Sequence, residues 1–226
     1  MRFDWIKFLH FENMLIPLWE TVYMVLIATV VSLIIGLPIG ILLVTSEAKG
    51  IKPNKTLHKI LDVILVNITR SIPFVILMVL LIPLSRKVVG QSYGSIAFII
   101  PLSLGAAPFV ARIIEGALKE VNPGLIEASK SMGATTGQMI FKVMLPEALP
   151  SLIHGLTLTI ISLIGYSAMA GAIGGGLGNS AVIDGYQRSN PEIMWQATIV
   201  IIILVQIVQF IGDLLVKTIT NKRTRA

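Results

Sequence analysis

Five stretches of this chain carry no charged side chain: Thr21–Ser46, Ser71–Ser85, Val88–Ala111, Ala148–Ile183 and Ile193–Gly212. A bilayer-crossing helix needs roughly 20 mostly apolar residues, because about 30 Å of hydrocarbon is covered at about 1.5 Å per residue. Four runs meet that length. Ser71–Ser85 reaches it when extended back through Leu61–Thr69, past Arg70. The expectation is an all-α integral membrane protein with five transmembrane helices. Composition agrees: 54% of the 226 residues are hydrophobic and 13% charged, against about 25% charged in soluble domains.

The first run reads as a retained span. Arg2, Asp4, Lys7, Glu12 and Glu20 precede it, and it is longer than the roughly 7–15 apolar residues of a cleaved signal. The chain has no cysteine, which excludes disulfides, thiolate metal sites and thiol nucleophiles. The net charge of +6 needs no nucleic acid to explain it, since membrane proteins concentrate Lys and Arg on their cytoplasmic side.

That same bias orients the chain. With five spans and a cytoplasmic C-terminus, 12 of the 18 Lys and Arg residues fall inside. Only Arg2, Lys7, Arg86, Lys87 and Arg188 fall outside, and Arg70 remains within a span. The expected topology is N-terminus out and C-terminus in. Residues 1–16 form an extracytoplasmic segment, 17–213 the membrane domain and 214–226 a basic cytoplasmic tail. No pair of matching halves is visible, unlike many gradient-driven transporters.

The long cytoplasmic loop, about Arg112 to Glu147, has an internal pattern. Asn122-Pro123 is a helix start, with Asn as cap and Pro at the first helical position. Leu125, Ile126, Ala128, Ser129 and Met132 mark one small-to-apolar face at helical spacing. Gly133 suits the left-handed residue that closes a helix. Thr135 or Thr136 can cap a second short helix to about Met144, after which Pro146 leads into the next span. A helix, elbow and helix at the membrane surface fits insertion into a partner's groove. It equally fits an interfacial helix lying on lipid.

Glu127-Ala128-Ser129, three residues, Gly133, nine residues, then Val143-x-Leu145-Pro146 resembles the E-A-A-x3-G-x9-I-x-L-P signature of binding-protein-dependent ABC importer permeases. Ser129 replaces an Ala and Val143 an Ile. Thr69–Phe74, Gly105–Phe109, Gly124–Ala128, Leu145–Pro150 and Gly165–Met169 resemble the methionine-uptake permeases of that family.

The resemblance implies a type I ABC importer permease of the bacterial cytoplasmic membrane, importing methionine in L- and D-forms. It implies a homodimer working with two ABC ATPase subunits and an extracytoplasmic methionine-binding protein. ATP and Mg would sit on the ATPase, with no cofactor and no nucleic acid on this chain. Glu127, Ala128, Ser131, Met132, Gly133, Ala134, Thr135, Leu145 and Pro146 would couple to the ATPase. The stretch Gly174–Gly178 and the loop Asn179–Asn190 depart from the family pattern. The alternatives are a permease for another small amino acid or solute, and a gradient-driven transporter or channel.

Within the spans, Tyr166, Ser167 and Met169 are candidates to line the translocation path, although the small residues around them favour plain close helix packing. Arg70, Pro73 and Pro108 are gate or hinge candidates. Arg70 can snorkel to the interface or form an interior salt bridge, and the prolines can kink their helices. The glycines at 171–178 lack the Gly-Lys-Ser/Thr of a phosphate loop and read as a turn or gate. His10, His58 and His154 show no metal-ligand spacing, and no Gly-x-Ser-x-Gly elbow is present. The chain is expected not to be an enzyme.

Overall fold

The computed structural model describes residues 11–48, 50–171 and 175–223. Arg2, Asp4, Lys7, His10, Lys49, Gly174 and Arg225, which entered the reading above, lie outside the described residues, as do most of the 1–16 segment and the end of the 214–226 tail. All regular structure among the described residues is helical.

A 3-10 turn, Phe11–Met14, leads into α1, Leu15–Ser46. Then come α2 (Lys55–Ser71), α3 (Phe74–Val89), α4 (Ser95–Lys119), α5 (Pro123–Ser131) and α6 (Thr136–Met169). Gly176–Asn179 and the π-helical Ser180–Gln187 form α7, and Pro191–Arg223 forms α8. Helices α1, α4, α6 and α8 are each long and apolar enough to cross a membrane, and α2 with α3, bent by 103° at the break, makes a fifth, broken span when the pair is counted as one.

Three boundaries differ from the sequence expectation. The second span is not one kinked helix. It stops at Ser71 and restarts at Phe74, because Pro73 (φ −54°, ψ 134°) is extended and caps α3. Proline also disfavours helical geometry in the residue before it.

The third span runs from Ser95 to Lys119 rather than from Val88 to Ala111. Left-handed Gly90 and Gly94 delay its start, and its last charges pair with partners, so they need not leave the helix.

The fourth apolar run ends as a continuous helix near Ala170, and most of the segment read as the loop Asn179–Asn190 is the helix α7.

The described chain divides into two compact units. One comprises the chain up to Val31, Ile72–Ala106 and Ile160–Phe210. Its core holds Met24, Val25, Ala28, Met78, Phe98 and Leu102. A smaller cluster packs Leu177 of α7 with Met14 and Ala197.

The other unit comprises Ser32–Ser71, Ala107–Thr159 and the chain from Ile211 onward. Val44, Val110, Ile114, Leu118, Ile140 and Met144 form its core. Close helix approach there depends on the Gly36-x-x-x-Gly40 pair of α1. A Cβ at Gly36 would stand 2.8 Å from the Ala107 carbonyl oxygen, and one at Gly40 2.7 Å from that of Ala111. Small residues at four-residue spacing let membrane helices pack backbone to backbone.

Polar side chains in the spans are satisfied locally. The Thr29, Thr45, Ser103 and Thr159 hydroxyls each donate to the carbonyl four residues back. Among the described residues no buried side-chain N or O lacks a partner, as a low-dielectric surrounding demands.

Candidate functional site

The loop between α4 and α6 is built from caps. The Asn122 side chain accepts from the Gly124 N–H at 2.8 Å, and Pro123 opens α5. At the other end the Gly133 N–H donates to the Lys130 carbonyl at 3.0 Å, and the Ala134 N–H to the Ser129 carbonyl at 3.1 Å. These two bonds define a Schellman closure, which places its C′ residue in the left-handed region. Gly133 occupies that position at φ 77°, with no atom within 4 Å of where a Cβ would sit. Its requirement for glycine is therefore conformational, not steric.

Thr135 then starts α6 with a reciprocal box: its N–H donates to Gln138 Oε1 at 2.8 Å, and its Oγ1 accepts from the Gln138 N–H at 3.3 Å. The second surface helix expected to end near Met144 does not end. It continues through the π-helical Met139–Met144 into Leu145–Ala170. Pro146 cannot donate a backbone bond, and wider winding ahead of it accommodates the missing partner.

The expected coupling residues are thus gathered on one projection. Glu127, Ala128, Ser131, Met132, Gly133 and Thr135 are exposed, and Ala134 is half-buried. Met132 is 87% exposed at the tip. Leu145 instead packs on the core around Val110 and Ile114, and Pro146 is exposed. Behind α5 lies a cavity of about 310 Å³ whose rim carries Glu47, Lys119, Glu127 and Lys130.

The candidates within the spans separate. Tyr166 is 37% and Met169 52% exposed, whereas Ser167 is buried and donates to the Ile164 carbonyl at 2.7 Å. The Tyr166 ring stacks on Phe74, centroids 4.7 Å apart. A Cβ at Gly165 would meet no atom within 4 Å, so the chain leaves space at that position, whereas Gly178 lies tight against Ala168.

Arg70 forms no interior salt bridge among the described residues. It is exposed and places its guanidinium 5.9 Å from the Phe109 ring centre. Pro73 sits at the break before α3, and Pro108 is buried inside the uninterrupted α4.

The start of α7 is held by a clamp. The Gly176 N–H donates to Glu20 Oε2 at 2.8 Å and the Leu177 N–H to Thr21 Oγ1 at 2.9 Å. These α1 side chains satisfy the first free donors of α7.

Sequence reasoning missed a row of paired charges. Arg112 Nη1 donates to Glu115 Oε2 at 2.6 Å, and Arg112 Nη2 to Asn67 at 2.7 Å and to Asp62. Lys119 Nζ lies 3.0 Å from both Glu115 and Glu47. Glu115 is 5% exposed. Arg112 ends the charge-free run Val88–Ala111, so the sequence alone places it and Lys119 in the loop. The available signal was their spacing with Glu115, which puts the three charges on one helix face, and the lone Asp62 inside an apolar stretch.

Among the described residues no group of three or more His, Cys, Asp or Glu side chains could hold a metal ion.

Comparison with known proteins gives consistent matches. Residues 36–224 match the family model of the binding-protein-dependent transport system inner membrane component. The chain is 46% identical over 215 residues to the Vibrio cholerae protein named Probable D-methionine transport system permease protein MetI, covering 95% of each. It is 49% identical over 170 residues to the methionine import system permease protein MetP of Bacillus subtilis, covering 75% of this chain and 76% of that one. Among solved structures, a chain of the MetNI methionine ABC transporter in inward-facing conformations superposes with a TM-score of 0.87 at 47% identity, covering 89% and 93% of the two chains.

Proposed function

The chain belongs to the family of binding-protein-dependent transport system inner membrane components, and from that premise we propose that it is the permease subunit of an ATP-driven methionine importer of the bacterial cytoplasmic membrane. The similarity to methionine permeases across most of the chain supports the substrate. Two copies of the permease work with two ATPase subunits and an extracytoplasmic binding protein. ATP and Mg act on the ATPase, and this chain is not catalytic. The N-terminus faces outward and the C-terminus the cytoplasm, a reading supported by the distribution of Lys and Arg.

The observation that carries the mechanism is the exposed α5, its Gly133 elbow and the boxed start of α6, all continuous with a membrane span. Met132 at the tip enters the ATPase groove, with Glu127, Ala128, Ser131, Ala134 and Thr135 around it. Leu145 and Pro146 join the projection to the span. Closure of the ATPase pair shifts the permease only through a difference in contact free energy between the two states. Tyr166, stacked on Phe74, and the exposed Met169 line the path on α6, with Ser167 holding the helix behind them. Arg70, Pro73 and Pro108 belong to the gate.

Uptake of labelled methionine by a strain lacking this gene, complemented with wild type or Gly133→Val, tests the reading. Restoration by wild type alone, with both proteins in the membrane and the ATPase co-purifying only with wild type, is the expected result. A well-expressed wild type that restores no methionine uptake overturns the substrate, and normal uptake by the variant overturns the coupling role.

A further inference from the structure

The row of charges occupies a particular place in the chain. Lys119 is the last residue of α4, immediately before the coupling loop, and Glu47 follows the end of α1. Asp62 and Asn67 lie on α2, and Glu115 and Arg112 one and two turns back along α4. On the other side of α4, the next residue, Glu120, accepts from Ser151 of α6 at 2.5 Å. Both ends of the loop are therefore fixed to charged or hydrogen-bonded neighbours, while its middle is exposed.

We propose that Glu47–Lys119–Glu115–Arg112–Asp62 is a strut that makes the ends of α1 and α4 move with α2, so that displacement of the coupling loop reaches the broken second span. This rests on the permease reading above.

The physics favours a strut over a loose surface pairing. Glu115 is nearly inaccessible to water and bridges both cations, and a buried carboxylate is tolerated only when fully paired. Breaking a pair at Glu115 strands that carboxylate, which holds Arg112 and Lys119 in place, whereas the outer pairs to Asp62 and Glu47 are partly exposed. Asp62 is the only charge that α2 contributes. Its removal leaves two cations, Arg112 and Lys119, with two carboxylates, Glu115 and Glu47. The remaining cluster is neutral, so an Asp62 variant loses its ionic link to α2, keeping only the Arg112–Asn67 hydrogen bond, without stranding a charge.

The test uses the full complex, with its ATPase and binding protein, reconstituted in lipid vesicles. Methionine imported per ATP hydrolysed is measured for wild type, Asp62→Ala and Asp62→Glu. Asp62→Ala is expected to lower that ratio about tenfold while hydrolysis continues, within the usual range of coupling strengths. Asp62→Glu, which keeps the charge, restores it. An unchanged ratio, or uptake and hydrolysis falling in parallel, overturns the strut.

A second measurement leaves the strut intact. The chain lacks cysteine, so Lys59→Cys with Gly116→Cys places one spin label on α2 and one on α4. An inter-label distance that holds between nucleotide-free and ATP-bound complex is expected, and a distance that changes overturns the proposal. If wild type itself imports no methionine, the parent reading fails, and this distance still decides the strut.

Discussion

The ring of Phe74 lies nearly parallel to that of Tyr166, with 17° between planes and 4.7 Å between centroids. Phe74 is the first residue of α3, directly after the break at Pro73. The stack therefore pins the restart of the broken span to α6. Stacked aromatic pairs contribute about 0.5–1.5 kcal/mol beyond area burial. Tyr166→Phe keeps the stack and is expected to keep both thermal stability and uptake. Tyr166→Ala is expected to lower the melting temperature of the purified complex and to slow uptake. A Phe variant as damaged as the Ala variant would show that the hydroxyl, not the ring, matters.

Gly133 offers a clean separation of strain from bulk. A left-handed backbone costs a residue with a Cβ about 1–2 kcal/mol, with Asn the mildest exception. Space at Gly133 is open within this chain, so its own neighbours set no limit on side-chain size there. Gly133→Asn is expected to retain most uptake and Gly133→Val to lose it, with equal membrane insertion. Complementation assays with matched expression measure this directly.

Gly40 poses the opposite problem. Its surroundings are closed, with the Ala111 carbonyl oxygen and Ile114 Cβ both 2.7 Å from an added methyl. Gly40→Val is expected to destabilise the protein by about 1–3 kcal/mol, the usual range for overpacking. Gly116, in a helix with no neighbour within 4 Å, is the control: Gly116→Ala is neutral or stabilising. Thermal denaturation of the two variants in the same detergent would rank them.

Glu20 and Thr21 hold the start of α7 as a side-chain cap does. Loss of a cap costs about 0.5–2 kcal/mol. Glu20→Ala is therefore expected to raise amide exchange across Gly176–Gln187 while leaving α4 protected. Exchange mass spectrometry reads both segments in one experiment, and unchanged α7 protection would refute the clamp.

Much of this was legible in the amino-acid order. The apolar runs located the spans because lipid offers no partner for a backbone. The caps at Asn122, Gly133 and Thr135 were legible because each acts within five residues. What escaped depends on distance along the chain. Arg112 meets Asp62 fifty residues away, and Glu20 meets Gly176 at 156; no local pattern encodes either. The π-helical join at Met139–Met144 escaped for another reason: Pro146 signals a boundary in sequence, whereas wider winding lets the helix pass it.

The last helix, α8, spans 33 residues, about 50 Å at the helical rise, against a hydrocarbon layer of about 30 Å. Only 6% of its most apolar window is buried against the rest of the chain. Ile201, Leu204, Val205 and Val208 pack on the core, and the rest of the helix is left to lipid or to the second permease copy, so a mismatch with the bilayer can be met by tilting. Membrane thickness thereby becomes a physical input to this protein, and a thinner bilayer should lay α8 over further.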